Sequence, residues 1–240
     1  MPIEKRWVVK PQGDRAVVES LSAQLGMPTV LTNLLVQRGI DTMEKAKKFF
    51  SPSLRDLHDP FLMKDMDKAV ERIERAVKAG EKVMIYGDYD VDGTTAVALV
   101  YKFLSQIGHK NLSFYIPDRY VDGYGISIRS IEHALRKGVT LVIALDCGIK
   151  AVEKVAYAKE RGVDFIICDH HLPAEEIPQA VAVLDPKRTD CNYPFDELSG
   201  CGVGFKLVEA YARRNKIPFS QIEPLLDLLV VSIASDIVPL

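Results

Sequence analysis

The strongest constraint on the fold is an alternation of apolar runs and helix-like segments that begins at Lys82. The runs KVMIYG, LSFYIP, TLVIALD, DFIICD and AVAVLD each have the length of a strand, and segments with helical periodicity separate the first four. Most of these runs are apolar throughout, as in strands buried on both faces, and connections that contain a helix join parallel strands. The sequence therefore predicts an α/β fold in which a parallel sheet carries helices on both faces.

The N-terminal quarter of the chain has a different pattern. RAVVESLSAQLG and VLTNLLVQRG show helical periodicity, and each ends at a glycine, a residue that commonly stops a helix. SPSLRDLHDP, with two prolines, is typical of a linker, and an amphipathic helix follows it with Ala69, Ile73 and Val77 on one face. We therefore predict a helical segment and linker over residues 1–65 and a larger domain over residues 66–240.

Composition and charge exclude several classes of protein. The net charge of −2 argues against a strongly basic nucleic-acid binder, although it does not report local patches or bound metal ions. The four cysteines form no CxxC pair, so we expect reduced, buried thiols at Cys147 and Cys168. MPIEKRWVVK contains no apolar signal segment, and the apolar run LLVVSIAS is too short to span a bilayer. These features predict a soluble, cytoplasmic protein.

Acidic residues and histidines follow the predicted strands at the point where each strand ends. In open parallel α/β sheets, ligands bind at the carboxyl ends of the strands. Four separate segments therefore bring carboxylate or imidazole groups to one edge of the sheet. They are Asp88, Asp90 and Asp92, then Asp146, then Asp169, His170 and His171, and finally Asp236.

A simpler explanation exists for each of these residues taken alone. An aspartate after a strand is usually a helix N-cap or a turn residue, and this suffices for Asp92, which precedes Gly93 and a helix. A single histidine is usually a hydrogen-bonded loop residue, and we expect His58, His109 and His133 to be solvated. Two adjacent histidines at the same edge as three carboxylate clusters favour a common site instead.

Carboxylates crowded this closely repel one another unless cations lie among them. Mixed carboxylate and imidazole ligands suit Mn²⁺, Mg²⁺ or Fe²⁺ better than a thiolate-bound zinc. Several anionic ligands can hold two divalent ions about 4 Å apart, the arrangement that cleaves phosphoesters. The residues therefore predict a centre for two divalent cations and phosphoester chemistry.

The order of the motifs adds a family resemblance. DYDVDGTTA, LDCG, DHH and SDIVPL, in this order, resemble the successive motifs of the DHH phosphoesterase family. The flanking stretches IPDRYVDGYGIS and LSGCGVGFKL resemble its RecJ branch, which comprises single-strand-specific 5′→3′ exonucleases. The resemblance covers residues 66–240, and the helical start of the chain is compatible with it.

Carried over to this sequence, the resemblance implies five ligands for two Mn²⁺ or Mg²⁺ ions. Asp88 and Asp90 each bind a metal, Asp146 bridges the two ions, and His170 and Asp236 complete the set.

Three further residues are implied at the catalytic centre. His171 contacts the scissile phosphate, and Asp169 orients a histidine ring. The role of Asp92 is the least defined of the acidic set.

Two glycine-containing loops are expected to border the site and bind substrate. DRYVDGYG offers Arg119 for a phosphate and Tyr120 or Tyr124 for base stacking. SGCGVGFK opens a helix whose backbone N–H groups, including that of Gly202, could cradle a phosphate with Lys206 nearby. A tight turn and a surface cation explain each loop about equally well.

The implied activity is a metal-dependent exonuclease that releases mononucleotides from the 5′ end of single-stranded DNA, in DNA repair and recombination. Single-stranded DNA is the implied substrate, with a single-strand-binding protein and a helicase as partners. RecJ enzymes continue into a further domain, so we expect these 240 residues to be a truncated catalytic core that binds DNA poorly. Two alternatives remain: a DHH enzyme acting on short oligonucleotides, cyclic dinucleotides or pyrophosphate, and a non-catalytic DNA-binding scaffold.

Overall fold

The computed structural model describes residues 6–239, which divide between His58 and Asp59 into two compact units. Residues 59–65, which the sequence assigns to the linker, belong to the second unit. Residues 1–5 of the N-terminal stretch and the last residue of the SDIVPL motif lie outside the described residues. Between residues 6 and 239, no helix is both long and apolar enough to cross a membrane.

The first unit contains three short helices: α1 (Arg15–Leu25), α2 (Thr29–Gln37) and α3 (Met43–Phe50). The first two confirm the helices predicted from periodicity. Helix α1 ends at Gly26, whose left-handed backbone (φ 63°) explains the choice of glycine at this position. Helix α3, which periodicity did not single out, has only eight residues.

The second unit alternates strands and helices as predicted. Its strands are β1 (Val83–Gly87), β2 (Leu112–Tyr115), β3 (Leu141–Leu145), β4 (Asp164–Cys168) and β5 (Ala182–Leu184). Its helices are α4 (Met66–Ala79), α5 (Val91–Gln106), α6 (Ile128–Arg136), α7 (Val152–Lys159), α8 (Gly200–Arg214) and α9 (Leu226–Asp236).

The five strands form one parallel sheet in the order β2-β1-β3-β4-β5. Every residue of β1 and β3 is buried, because each face of the sheet packs against helices. Ile143 and its neighbours on one face pack against α4, α5 and α8, whereas Val142 and Ala144 on the other face pack against α6 and α7. The predicted α/β class is confirmed.

A buried arginine joins helix α4 to the edge of the sheet at which the strands begin. The guanidinium of Arg72 donates to Asp164 at the start of β4 (2.6 Å) and to Glu81 before β1 (2.7 Å). Arg72 is 5% exposed, so its charge depends on these carboxylates for compensation. Burial alone would raise the pKa of Glu81, but the hydrogen bonds from Arg72 and Thr140 and the charge of Arg72 together outweigh burial and lower that pKa below its usual 4.5.

We expect Arg72→Met to keep the fold and lower the free energy of unfolding at pH 7 by roughly 1–2 kcal/mol, because two partly exposed carboxylates lose their cation. The difference from wild type should narrow as the pH falls below 4.5. The stabilisation that Glu81 contributes is present above that pH and is lost as the folded-state carboxyl protonates. Urea unfolding at several pH values measures both effects. Equal stability of the two proteins at pH 7 would contradict the role of Arg72.

Candidate metal centre

The acidic residues gather at the place where the strand order of the sheet reverses. Strand β1 continues to β2 on one side and lies beside β3 on the other, and such switch points form ligand crevices in doubly wound sheets. Asp88 directly follows β1, Asp146 follows β3 and Asp169 follows β4, while Asp236 is the last residue of α9. The structure thus brings together the four segments that the sequence places at one edge.

The two later aspartates of the first motif both contact helix N-termini. The side chain of Asp90 is the N-cap of α5 and accepts the N–H of Gly93 (2.9 Å). Asp92 lies inside α5, which begins at Val91, so it neither caps this helix nor lies in a turn before it, as the simpler explanation expects.

Asp92 instead caps a helix more than 100 residues away in the chain. Its buried carboxylate accepts the N–H groups of Gly200 (2.7 Å) and Cys201 (2.8 Å) in the first turn of α8, and the hydroxyl of Ser232 in α9 (2.7 Å). A carboxylate has about four acceptor positions, and these three hydrogen bonds leave part of that capacity unused. Asp92 therefore fixes α8 and α9 against the centre and keeps capacity for another ligand.

Glycines allow this close packing. A Cβ on Gly93 would lie 2.5 Å from the carbonyl oxygen of Asp88, and a Cβ on Gly200 would lie 2.5 Å from the Cβ of Asp146. Neither site has room for a side chain. Both glycines are needed for backbone segments to approach the carboxylates, which explains their place in the first motif and in SGCGVGFK.

The imidazole of His170 lies among three carboxylates. Its Nε2 is 3.1 Å from Asp146 Oδ1 and 3.7 Å from both Asp92 Oδ2 and Asp236 Oδ2. Asp146 itself has a left-handed backbone (φ 58°), which aspartate tolerates better than most residues. Four of the acidic and imidazole groups thus converge within reach of one cation.

Among residues 6–239, three overlapping groups of ligand atoms are compact enough to hold a metal ion, with all atoms of a group within 4.8 Å of one another. They are Asp88 with Asp90 and Asp146, then Asp92 with His170 and Asp236, and finally Asp146 with His170 and His171. Asp146 belongs to two of these groups. It also lies 3.1 Å from His170, which is a member of the third group. This shared position is the one that a bridging ligand requires.

The charges of this cluster are not balanced within the protein. Burial raises the pKa of Asp146, and the neighbouring Asp92 and Asp90 raise it further. Burial also raises the pKa of Asp88, whose buried Oδ1 has no hydrogen-bond partner among the described residues. A divalent cation would supply the missing positive charge and the missing partner. The donor set of carboxylate oxygens and one imidazole nitrogen fits Mn²⁺ or Mg²⁺.

Asp169 organises the second histidine. Its buried carboxylate accepts the backbone N–H of Ile149 (2.9 Å) and of His170 (2.8 Å), and its Oδ1 lies 2.7 Å from His171 Nδ1. Burial alone would raise the pKa of Asp169, but these hydrogen bonds, chiefly that with His171, lower it. The hydrogen bond with Asp169 in turn raises the pKa of His171. Asp169 thus lies within hydrogen-bond distance of the His171 ring, and the orienting role that the resemblance implies for it stays a prediction.

The DRYVDGYG loop reaches this histidine. The hydroxyl of Tyr124 lies 3.1 Å from His171 Nε2, and Arg119 stacks over the ring of Tyr89 at 4.7 Å. Tyr120 is almost fully exposed. Tyr124 therefore borders the centre directly, whereas Arg119 is linked to it through the first motif.

Beside Tyr124 and His171 lies a mainly apolar pocket of about 210 Å³. Lys150 and Lys154 also line it, next to Ile126. This pocket adds positive charge at the rim of an otherwise acidic site.

Two predicted substrate-binding residues do not fit that role. The N–H of Gly202 donates to Ser199 Oγ (3.1 Å), and the N–H groups ahead of it are taken by Asp92, so the start of α8 cannot cradle a phosphate. Lys206 is 3% exposed and its ammonium bonds Glu209 (2.8 Å) inside the molecule. Burial lowers the pKa of Lys206. The prediction failed because helix α8 runs through the core rather than over the surface.

Two buried residues depart from the sequence-based expectations. His109, expected in solvent, is 5% exposed, in the turn that follows α5. Asp185 follows β5 and is fully buried near the centre; burial raises its pKa to about 7, and the field of His170 opposes that rise. Its place after the run AVAVL is the same signal that singles out Asp146, so Asp185 could have been included.

Comparison with known proteins agrees with this geometry. A family model described as DHH family, N-terminal domain, matches residues 82–233. The chain belongs to the DHH family. Its sequence is 42% identical over 98% of its length to the single-stranded-DNA-specific exonuclease RecJ of Bacillus subtilis, and 31% identical over 94% to that of Escherichia coli. It spans only 29% and 40% of those two proteins.

Solved structures give the same result. The structure of a manganese-bound exonuclease RecJ matches 74% of this chain, and the match covers 44% of the RecJ chain, with a TM-score of 0.67 and 30% identity. RecJ of Thermus thermophilus in complex with Mn²⁺ matches 93% of the chain and 31% of its own, with a TM-score of 0.74 and 25% identity. The predicted resemblance to the RecJ branch of the DHH family is confirmed.

The first turn of α8 offers a matched test of the close packing at the centre. We expect Gly200→Ala to lower the free energy of unfolding by about 1–3 kcal/mol and to weaken Mn²⁺ binding, because the new methyl group displaces Asp146. Gly202→Ala should leave both quantities near wild type, since its Cβ would meet no atom closer than 3.4 Å. Thermal unfolding measures the stability of the two variants, and calorimetric titration measures their Mn²⁺ affinity. Equal effects of the two substitutions would contradict the close-packing role of Gly200.

Proposed function

We propose that this chain is the catalytic core of a metal-dependent phosphodiesterase that removes mononucleotides from the 5′ end of single-stranded DNA. The observation that carries the proposal is the shared position of Asp146 between two groups of metal-ligating side chains. The similarity to proteins named single-stranded-DNA-specific exonuclease supports the substrate. The 5′ polarity rests on the family resemblance alone.

The two groups suggest how the ligands divide. Asp88, Asp90 and Asp146 would hold one cation. Asp146 and His170 would hold the other, joined by Asp92 and Asp236, whose Oδ2 atoms each lie 3.7 Å from His170 Nε2. Ions bound there would act as Lewis acids on the phosphate and activate water at neutral pH. The protein contributes carboxylates that are already in place, with Asp88, Asp92 and Asp146 buried, so that little reorganisation accompanies binding.

His171 is the side chain that we assign to the substrate phosphate. Asp169 holds its Nδ1, so the ring has one orientation and its Nε2 points to the hydroxyl of Tyr124 and the pocket. A protonated His171 can donate from Nε2 to a phosphate oxygen. Tyr124 then orients the ring in the free protein and borders the bound nucleotide. Arg119, fully charged and exposed, is placed to attract the DNA backbone.

The single-strand-binding protein, the helicase, the roles in DNA repair and recombination, and the cytoplasmic location remain predictions. Free, buried Cys147 and Cys168 are compatible with a reducing compartment.

Substitution of the shared ligand separates metal binding from folding. We expect Asp146→Asn to be at least as stable as wild type without metal, because it removes a buried charge from a cluster of like charges and asparagine tolerates φ 58°. Mn²⁺ at 100 times its dissociation constant should stabilise wild type by about 2.7 kcal/mol but not the variant. Thermal unfolding with and without Mn²⁺ measures the difference. Asp164→Asn, at the opposite edge of the sheet, should keep the Mn²⁺ effect.

The same Asp146→Asn variant should lose nuclease activity. Turnover at a tenth or more of the wild-type rate would rule out the bridging role.

The substrate is tested by the products formed from end-labelled DNA. With Mn²⁺, the chain should release mononucleotides from a 5′-labelled single strand and leave a blunt duplex intact, with Asp146→Asn as the inactive control. Faster cleavage of dinucleotides, cyclic dinucleotides or pyrophosphate would favour the small-substrate alternative. Mn²⁺ binding with single-strand binding but no cleavage would favour the scaffold.

A further inference from the structure

The ring of His170 has one nitrogen in the metal centre and one in the protein interior. Nε2 faces Asp146, Asp92 and Asp236, so Nε2 is the atom available to a cation. Nδ1 is buried and has no hydrogen-bond partner among residues 6–239. A buried ring nitrogen without a partner costs about 1–3 kcal/mol, so a partner is expected on the interior side.

Asp185 presents the complementary group. Strands β4 and β5 pair with Cys168 opposite Leu184, and the N–H of Asp169 donates to the carbonyl oxygen of Leu184. Asp185 therefore leaves its strand beside Asp169, one residue before His170. Its Oδ1 accepts the N–H of Lys187 (2.8 Å), which holds the turn after β5.

The second oxygen of Asp185 is the acceptor that His170 lacks. Asp185 is fully buried, and its Oδ2 has no donor among the described residues. An interior Nδ1 without an acceptor and an interior carboxylate oxygen without a donor thus lie at the ends of two adjacent strands.

We propose that one ordered water accepts the Nδ1–H of His170 and donates to Asp185 Oδ2, so that Asp185 positions His170 as a metal ligand. A histidine that binds a metal through Nε2 must carry its proton on Nδ1, and a carboxylate on that side fixes both the tautomer and the ring orientation. Asp185 is a positioning residue, since it acts through His170 and not on the substrate. The proposal rests on the metal centre of the proposed function but not on the identity of the nucleic acid.

The tautomer of His170 in the metal-free protein tests the contact. We expect ¹⁵N-histidine NMR spectra, assigned with His170→Gln, to show the Nδ1–H form in wild type. Asp185→Ala removes the acceptor and should give a mixture of tautomers. Asp185→Asn keeps the shape and an oxygen for the Lys187 N–H, but turns an NH₂ group toward the ring and should favour the Nε2–H form. This variant also serves if Asp185→Ala fails to fold.

Metal affinity gives an independent readout. Both substitutions should weaken Mn²⁺ binding by roughly 10- to 100-fold in calorimetric titrations. Asp164→Asn controls for loss of stability, because its carboxylate contacts Arg72 at the opposite edge of the sheet and should not alter Mn²⁺ affinity.

The proposal is overturned if both Asp185 variants melt at a lower temperature but keep the wild-type tautomer and the wild-type Mn²⁺ affinity. Asp185 would then serve only the turn after β5. A chain that binds Mn²⁺ but fails to cleave DNA would refute the proposed function and leave this inference standing.

Discussion

The rest of the centre depends on the hydrogen bonds that the buried carboxylate of Asp92 accepts. This carboxylate accepts two N–H groups from the first turn of α8 and the hydroxyl of Ser232 in α9, so one side chain ties the first motif to both C-terminal helices. Asp90 caps the N-terminus of its own helix, α5, by accepting the N–H of Gly93. Two helix N-termini therefore point at the carboxylates, and their partial positive charges offset part of the repulsion.

The remaining repulsion explains why the centre is built for cations. The helix ends engage Asp90 and Asp92, but Asp88 and Asp146 stay buried with raised pKa values, and Asp88 Oδ1 has no donor among the described residues. The protein thus stabilises the geometry of the carboxylates without neutralising them. The glycines at positions 93 and 200 bring backbone within van der Waals limits of these groups, so the cluster cannot relax by spreading apart.

Much of this arrangement is predictable from the sequence, because a parallel sheet imposes it. Continuous apolar runs identify the strands, and a strand's end fixes where the next residue lies, so Asp88, Asp146 and Asp169 could be assigned to one edge. Long-range packing could not be predicted. The partner of Asp92 is a helix end more than 100 residues away in the chain. The sequence around Gly202 and Lys206 is typical of a phosphate-binding loop, but α8 lies in the core, where Lys206 bonds Glu209. His109 is buried by neighbours that its local sequence does not indicate.

The proposed function gives the acidic centre and its basic rim separate roles in binding a phosphodiester. Lys150 and Lys154 line the pocket beside His171, and Arg119 lies on the first motif, so positive charge surrounds a centre that would itself repel DNA without its ions. The most direct test is a crystal grown with Mn²⁺ and measured at the manganese absorption edge. The account predicts two anomalous peaks, both in contact with the Asp146 carboxylate. A map with no peak at this edge of the sheet, or with a single peak that does not touch Asp146, would contradict it.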